Sequence, residues 1–281
     1  MTLTAHRKIA AAMFAALALA AAGAAHADRL DDIKKAGVVR VATFDAYPPF
    51  GFVDAKSHQT IGLDVDYANA VAQKLGVKLE LVSTNPANRI PLLISRKADL
   101  VFANFTITDE RKKEVDFSIP YFATGTKFIA ATGSLKSPEQ VSSLRVGADK
   151  GTTNEQQIRA QFPKARLVLF DDLPAQFAAL RAGNVQAIAQ DDINLYGLLA
   201  KLKAGNSPDA ARYEVAPFAI SHDYQGAGVP KGEARLRDAV NKALQDMEAD
   251  GTAQKIYERW FGPSSDLPFP RTYKIGDPQT S

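Results

Sequence analysis

Three short stretches carry residue types that could meet a small charged ligand. The first is ANFTITDER, Ala103 to Arg111. Asn104, Thr106 and Thr108 are all candidate helix N-caps, and Asp109 and Glu110 suit a first helical turn. Arg111 does not suit it. A cation among outward-pointing N–H groups is disfavoured by about 0.3–1 kcal/mol at an exposed site. The second stretch is DKGTTNEQQI, Asp149 to Ile158, where a glycine turn leads through Thr152 and Thr153 into a helix. Hydroxyls and unpaired N–H groups at such a junction can hold an anion, although an ordinary capped helix has the same pattern. The third is AQDDINLYG, Ala189 to Gly197, with two acids at a strand-to-helix junction. Adjacent acids there are commonly caps; with two present, Asp192 is expected to cap and Asp191 to face outward.

All three stretches follow expected strands, and open α/β sheets bind ligands beyond the carboxyl ends of their strands. A fourth, ATFDAYPPFGF from Ala42 to Phe52, displays aromatic residues around two prolines; aromatics there are often core, but Tyr47 and Phe50 on a stiff Pro-Pro loop could form a pocket wall. A ligand with a carboxylate and an ammonium on neighbouring atoms would satisfy Arg111, the Gly-Thr-Thr turn and Asp191 together. That is the pattern of an α-amino acid. Signatures of catalysis are missing: there is no GxSxG, HExxH, Walker loop or GxGxxG. With four scattered histidines and no cysteine, no transition-metal site is expected, and neither a cofactor nor a catalytic residue is assigned.

The elements that must position these residues alternate in type. Strands are expected over Gly37–Thr43, Val77–Ser83 and ADLVFAN, with helices over Leu63–Gly76 and Arg89–Ser95 and another opening at Thr108. From Lys127 the pattern restarts. KFIAAT, LRVGAD, RLVLF and VQAIAQ are the strands, and TTNEQQIRAQF, LPAQFAALRAG and INLYGLLAKL are the helices between and after them. The chain then returns through YQGAGVP to two amphipathic helices, Glu233–Asp250 and Thr252–Phe261. Strand–helix alternation of this kind implies mostly parallel sheets covered by helices, and two such units suggest two lobes around a cleft.

Residues 1–27 are expected to be a cleaved signal peptide. Arg7 and Lys8 precede the apolar run Ile9–Ala22, which is too short to span a bilayer, and Ala25-His26-Ala27 is a small-x-small cleavage site. Removing Arg7 and Lys8 from 34 basic residues leaves 32 against 31 acidic ones, a balance that argues against nucleic acid as a partner. The absence of cysteine excludes both disulfides and a lipid-modified cysteine. A periplasmic monomer is expected.

With these residues in place, the chain resembles the periplasmic amino-acid-binding proteins of ABC importers, the solute-binding proteins of family 3. The landmarks are YPPFGFVD, IGLDVDYANAVAQKLG, NRIPLL, KADLVFANFTITDERKKEVDFSIPYF, KGTTNE and AQDD. Tyr67 departs from the family, which usually has an aliphatic residue or Phe there. The resemblance implies an α/β, two-lobed Venus-flytrap fold of type II with two interlobe crossings. Lobe 1 would comprise 28–123 and 218–281, and lobe 2 would comprise 124–217.

The resemblance also implies roles. Arg111 would hold the ligand α-carboxylate in a bidentate pair, helped by Thr106 and Thr153. Asp191 would take the α-ammonium with the Asn104 carbonyl and the Thr106 hydroxyl, and Tyr47 would pack over the ligand side chain. Arg89 could read a second carboxylate, as in relatives that bind aspartate or glutamate, or form a structural ion pair. The ANR…ANFT…KGTT combination also looks like relatives that bind cysteine. The expected ligand is an acidic or small polar amino acid, delivered to an ABC-transporter permease by transient docking. The alternative from another class is a cyclohexadienyl-dehydratase-like enzyme on the same fold. That enzyme would need a general acid in the cleft, and only Asp191 offers itself.

Overall fold

A computed structural model describes residues 28–277; the signal-peptide expectation for residues 1–27 lies outside the described residues. The first helix, α1 (Arg29–Ala36), starts where the Asp28 carboxylate accepts the Leu30 N–H at 2.9 Å. Then come β1 (Val38–Thr43), β2 (Ala46–Tyr47), β3 (Gly51–Val53), β4 (Thr60–Ile61), α2 (Leu63–Leu75), β5 (Lys78–Ser83), α3 (Arg89–Ile94), β6 (Leu100–Val101) and β7 (Val115–Thr124). Gly76 closes α2 in the left-handed conformation, as its position after the apolar stripe predicts.

Through Gly125 the chain enters a second unit: β8 (Thr126–Ala131), β9 (Arg145–Asp149), α4 (Thr153–Gln161), β10 (Arg166–Phe170), α5 (Leu173–Arg181), β11 (Ala187–Asp191), α6 (Asp192–Ala204), α7 (Asp209–Arg212) and β12 (Tyr213–Val215). Residues 216–222 lead back to β13 (Asp223–Pro230), α8 (Ala234–Ala249) and α9 (Thr252–Phe261).

Two five-stranded sheets result, ordered β5-β1-β6-β13-β7 and β10-β9-β11-β8-β12, with a small three-stranded sheet of β2, β3 and β4. This is the two-lobed α/β architecture that the resemblance implies. The sheets are more mixed than expected. In the first, β1 pairs in parallel with β5 and β6, but β13 runs antiparallel to β6 and β7. In the second, β8 runs antiparallel to both β11 and β12. The antiparallel strands are those on either side of the passages between sheets, where the chain leaves one unit instead of crossing back over a helix.

Two local expectations need correcting. The stretch ADLVFAN contributes only Leu100–Val101 to a ladder, because the chain turns at Asn104, which is held at φ 45. The helix expected from Thr108 is a single 3-10 turn over Arg111–Lys113. Glu110 rather than Thr108 takes its cap position, and the Thr108 hydroxyl oxygen accepts the Arg111 N–H at 3.1 Å. A single turn carries little dipole, so the cost assigned to a cation there largely disappears.

The core is organised around the cleft. One buried cluster fills the first lobe and includes Val41, Phe50, Tyr67, Phe122 and Leu244. Another fills the second, with Phe128, Val146 and Ile158. A third spans the two, bringing Phe44, Tyr47 and Phe105 together with Leu173, Phe177 and Leu195. Phe50, a candidate for the pocket wall, packs instead edge-on to Phe122 with ring centroids 4.8 Å apart.

Candidate ligand-binding cleft

Between the two sheets lies a cavity with about 240 Å³ of empty space. Tyr47, Arg89, Asn104, Thr106, Arg111, Thr153 and Asp191 all line it, joined by Phe44, Pro86, Thr152, Asn154 and Gln190. The structure thus brings these seven residues together, whereas Phe50 lies outside the cavity. Both sheets offer the ends of their strands to the cavity, so residues far apart in the chain converge there.

The positive side comes from the first lobe. Arg89 is 2 % exposed and Arg111 is 6 % exposed. Arg89 donates from Nε to the Pro86 carbonyl at 3.0 Å, and from Nη1 to the carbonyls of Ala103 and Asn104 at 3.0 and 2.8 Å. Its Nη2 reaches the Gly151 carbonyl across the cleft at 3.4 Å. Arg111 donates to the Thr106 carbonyl at 2.8 Å and to the same Gly151 carbonyl at 3.0 Å. Both guanidinium groups lie over the Phe105 ring, 4.8 and 4.9 Å from its centroid. Burial lowers Arg89 to about 10; burial, then the charge of Arg89, lowers Arg111 to about 9. Both values leave the groups charged at neutral pH.

Gly151 can serve both arginines because its left-handed φ of 74 turns the carbonyl toward the first lobe, with the Ala87 backbone within 3.2 Å of where a Cβ would stand. The turn's contribution is therefore a carbonyl to the cations as well as a helix start. Thr152 caps α4 by accepting the Glu155 N–H at 3.2 Å. Thr153, the first residue of α4, places its hydroxyl 3.5 Å from that of Thr106.

The negative side comes from the second lobe. Asp191 ends β11 and occupies the cap position of α6 without capping it. Its Oδ1 accepts from Asn154 Nδ2 at 3.2 Å, and its Oδ2 accepts from Gln225 Nε2 at 2.7 Å. Burial is the main cause that raises Asp191 to about 6. The expected division of labour between the paired acids does not hold: Asp191 takes the cap position and is buried, while Asp192 is the first helical residue, its carboxylate accepting the Ile193 N–H at 2.8 Å.

Tyr47 and Asn104 carry interactions that spacing alone did not reveal. The Tyr47 hydroxyl donates to Asp149 Oδ2 at 2.6 Å across the cleft, while its ring packs on Phe44 with centroids 4.2 Å apart. Asp149 also accepts from Gln176 and from Gln190, the latter at 2.9 Å, and burial raises it to about 6. Asn104 donates its backbone N–H to Asp64 Oδ2 at 2.9 Å, and its carbonyl, expected to face an ammonium, already accepts from Arg89. Asp64 takes a second bond from the Tyr121 hydroxyl at 2.7 Å.

Gln225 and Asn154, the amide partners of Asp191, are among the residues that sequence reasoning missed. Asn154 adjoins the Gly-Thr-Thr turn and could have been noticed there. Gln225 lies mid-strand in β13 and carries no local signal; only the bridge between Thr106 and Gln225 brings it to Asp191.

Among the described residues, the polar partners of both guanidiniums are carbonyl oxygens and those of Asp191 are side-chain amides. Buried charges without counter-ions are costly. The cleft therefore offers a buried cation and a buried anion to any group that carries their complements.

Comparison with known proteins agrees with this geometry. The profile of the bacterial extracellular solute-binding proteins, family 3, matches residues 39–263. The L-cystine-binding protein TcyJ of Escherichia coli (strain K12) is 33% identical over 236 residues, 83% of this chain and 86% of the relative. An ancestral arginine-binding protein solved with bound glutamine superposes with a TM-score of 0.74 at 39% identity, covering 80% of this chain and 98% of its own. An ancestral amino-acid-binding protein described as a precursor of cyclohexadienyl dehydratase superposes with a TM-score of 0.74 at 37% identity, covering 83% and 99%. The chain belongs to the bacterial extracellular solute-binding proteins of family 3, and its named homologues are amino-acid-binding proteins of ABC transporters.

Proposed function

We propose that this family member captures one free α-amino acid, with a small polar or acidic side chain, and hands it from the periplasm to an ABC-transporter permease. One observation carries the reading: Arg111 and Asp191 are buried on opposite walls of one cavity, and among the described residues each hydrogen-bonds only to neutral groups. An α-carboxylate completes Arg111, with the Thr106 and Thr153 hydroxyls beside it. An α-ammonium completes Asp191. Because Arg89 occupies the Asn104 carbonyl, the ammonium relies on Asp191 and the Thr106 hydroxyl more than the resemblance alone implies.

Charge narrows the side chain. The second buried acid, Asp149, is occupied by Tyr47, Gln176 and Gln190, so a cationic side chain finds no carboxylate to meet. Arg89 spends most of its donors on backbone carbonyls, which suits a small polar side chain better than a second carboxylate. The cystine ligand named for one relative and the glutamine bound in another are consistent with a polar ligand.

A thermal-shift screen with the standard amino acids and cystine tests this. A ligand at about 100 times its dissociation constant stabilises the folded state by ~2.7 kcal/mol. No shift with any of them overturns the proposal, and turnover of prephenate or arogenate places the chain with the enzymes instead.

A further inference from the structure

Helix α6 starts at the ligand cleft and then runs along the junction of the two lobes. Its first turn carries Asp191 at the cap position. Beyond it, one stripe of the helix meets the first lobe turn after turn. Ile193 is buried in the first lobe's core cluster with Phe50 and Phe122. Asn194 Oδ1 accepts from Asn104 Nδ2 at 3.4 Å. The Lys201 ammonium lies 5.5 Å from the centre of the Phe52 ring. Between them, at the same spacing of four residues, is Gly197, buried against the Pro48–Pro49 turn.

The contact at Gly197 is backbone to backbone. A Cβ placed there would stand 2.5 Å from the Pro48 carbonyl oxygen and 2.8 Å from Pro49 Cδ. Glycine in the middle of a helix destabilises it relative to alanine. Local preference therefore argues against the residue found, and close approach of the lobes argues for it.

We propose that Gly197 is a positioning residue for ligand capture, the bearing on which the second lobe seats against the Pro48–Pro49 turn when the cleft closes. This rests on the amino-acid reading of the cleft. Asp191 occupies the cap position of the same helix six positions before Gly197, so a methyl group that lifts α6 from the turn also withdraws Asp191 from Arg111. The ligand must then bridge a wider gap or leave one of its charges unpaired.

The chain has no cysteine, so Glu80→Cys with Arg166→Cys, on exposed positions of the two lobes, accepts a pair of maleimide dyes that report lobe separation by energy transfer. The probe is a mixture of the standard amino acids with cystine. The mixture is expected to close the labelled protein, and Gly197→Ala is expected to require at least about tenfold more of it while melting no lower than the parent when unliganded. Lys201→Ala, at the exposed end of the same stripe, should shift closure in the same direction by roughly threefold. It also decides the matter alone if Gly197→Ala does not fold. Closure of the variants at the parent's concentration overturns the bearing and leaves the amino-acid reading intact. Failure of the mixture to close the parent overturns the amino-acid reading, and the bearing with it.

Discussion

Arg111 and Asp191 share an unusual property: each is buried, each is charged at neutral pH, and among the described residues each hydrogen-bonds only to neutral dipoles. Carbonyls and amides solvate such charges partly, and a ligand carrying the opposite charge does so better. For Arg111 the planar fork matters as much as the charge. It divides its donors between the Thr106 and Gly151 carbonyls, one in each lobe, and lysine offers a point charge without that geometry. Arg111→Lys is expected to weaken amino-acid binding by about 1.5–3 kcal/mol, the worth of a hydrogen bond to a charged group. The unliganded protein should lose no more than about 1 kcal/mol, since lysine still reaches one of the two carbonyls. Titration calorimetry and urea unfolding of the same preparation separate the two effects. An unchanged affinity would remove the bidentate role.

At the scale of elements, the site is supported by a turn that the flanking sequence does not explain. Asn104 sits at φ 45, an arrangement that asparagine tolerates better than most residues and that clusters at functional sites. Asp64, in the first turn of α2, holds it there through the Asn104 N–H and ties the same carboxyl to Tyr121. In the sequence Asp64 is simply an acid where a helix start favours one. Its actual partners are 40 and 57 positions away, and nothing local specifies them. Asp64→Ala leaves a buried N–H and a buried hydroxyl unpaired, so unfolding free energy is expected to fall by about 2–4 kcal/mol. In urea the midpoint should drop while the slope stays constant. A loss near zero would mean that neither bond supports the fold.

The two-lobed molecule buries three carboxyl groups where the lobes meet or just beneath. Burial raises Asp149 and Asp191 to about 6 and Asp64 to about 7, against an ordinary value of 3.8. In the folded state these groups keep protons that the unfolded chain has released. Stability is therefore favoured below the ordinary value and lost as pH rises through about 6 to 7, each group contributing at most about 1.4 kcal/mol per pH unit. Asp31 and Asp54 shift in the opposite direction, but on the surface, where solvent screens them. Acidifying the unliganded protein from neutral to about pH 5 is thus expected to raise its melting temperature. Ligand affinity should move the other way, because only ionised Asp191 can accept an ammonium. Scanning calorimetry without ligand and titration calorimetry with it, over the same range, check both slopes. A melting temperature that falls throughout the acidification contradicts this account.

Much of the molecule was determined locally. Glycine stops, acidic caps and apolar stripes placed α2, α4, α5 and α6 close to their observed bounds, because each rests on contacts within a few residues. The residue types of the cleft were also legible: Arg111 beside acids, Thr153 after a glycine and Asp191 at a strand end are each anomalies or options within a short stretch. Tertiary structure alone decided what those options became. It reduced the helix at Thr108 to one turn, placed Phe50 in the core, and gave the Tyr47 hydroxyl to Asp149. It also brought Gln225 to Asp191 and the Pro48–Pro49 turn to Gly197. The physical reason is common to all of these. Local sequence sets which conformations and partners a residue can accept, but desolvation and contact between the lobes choose among them, and both exist only once the chain has brought distant segments together.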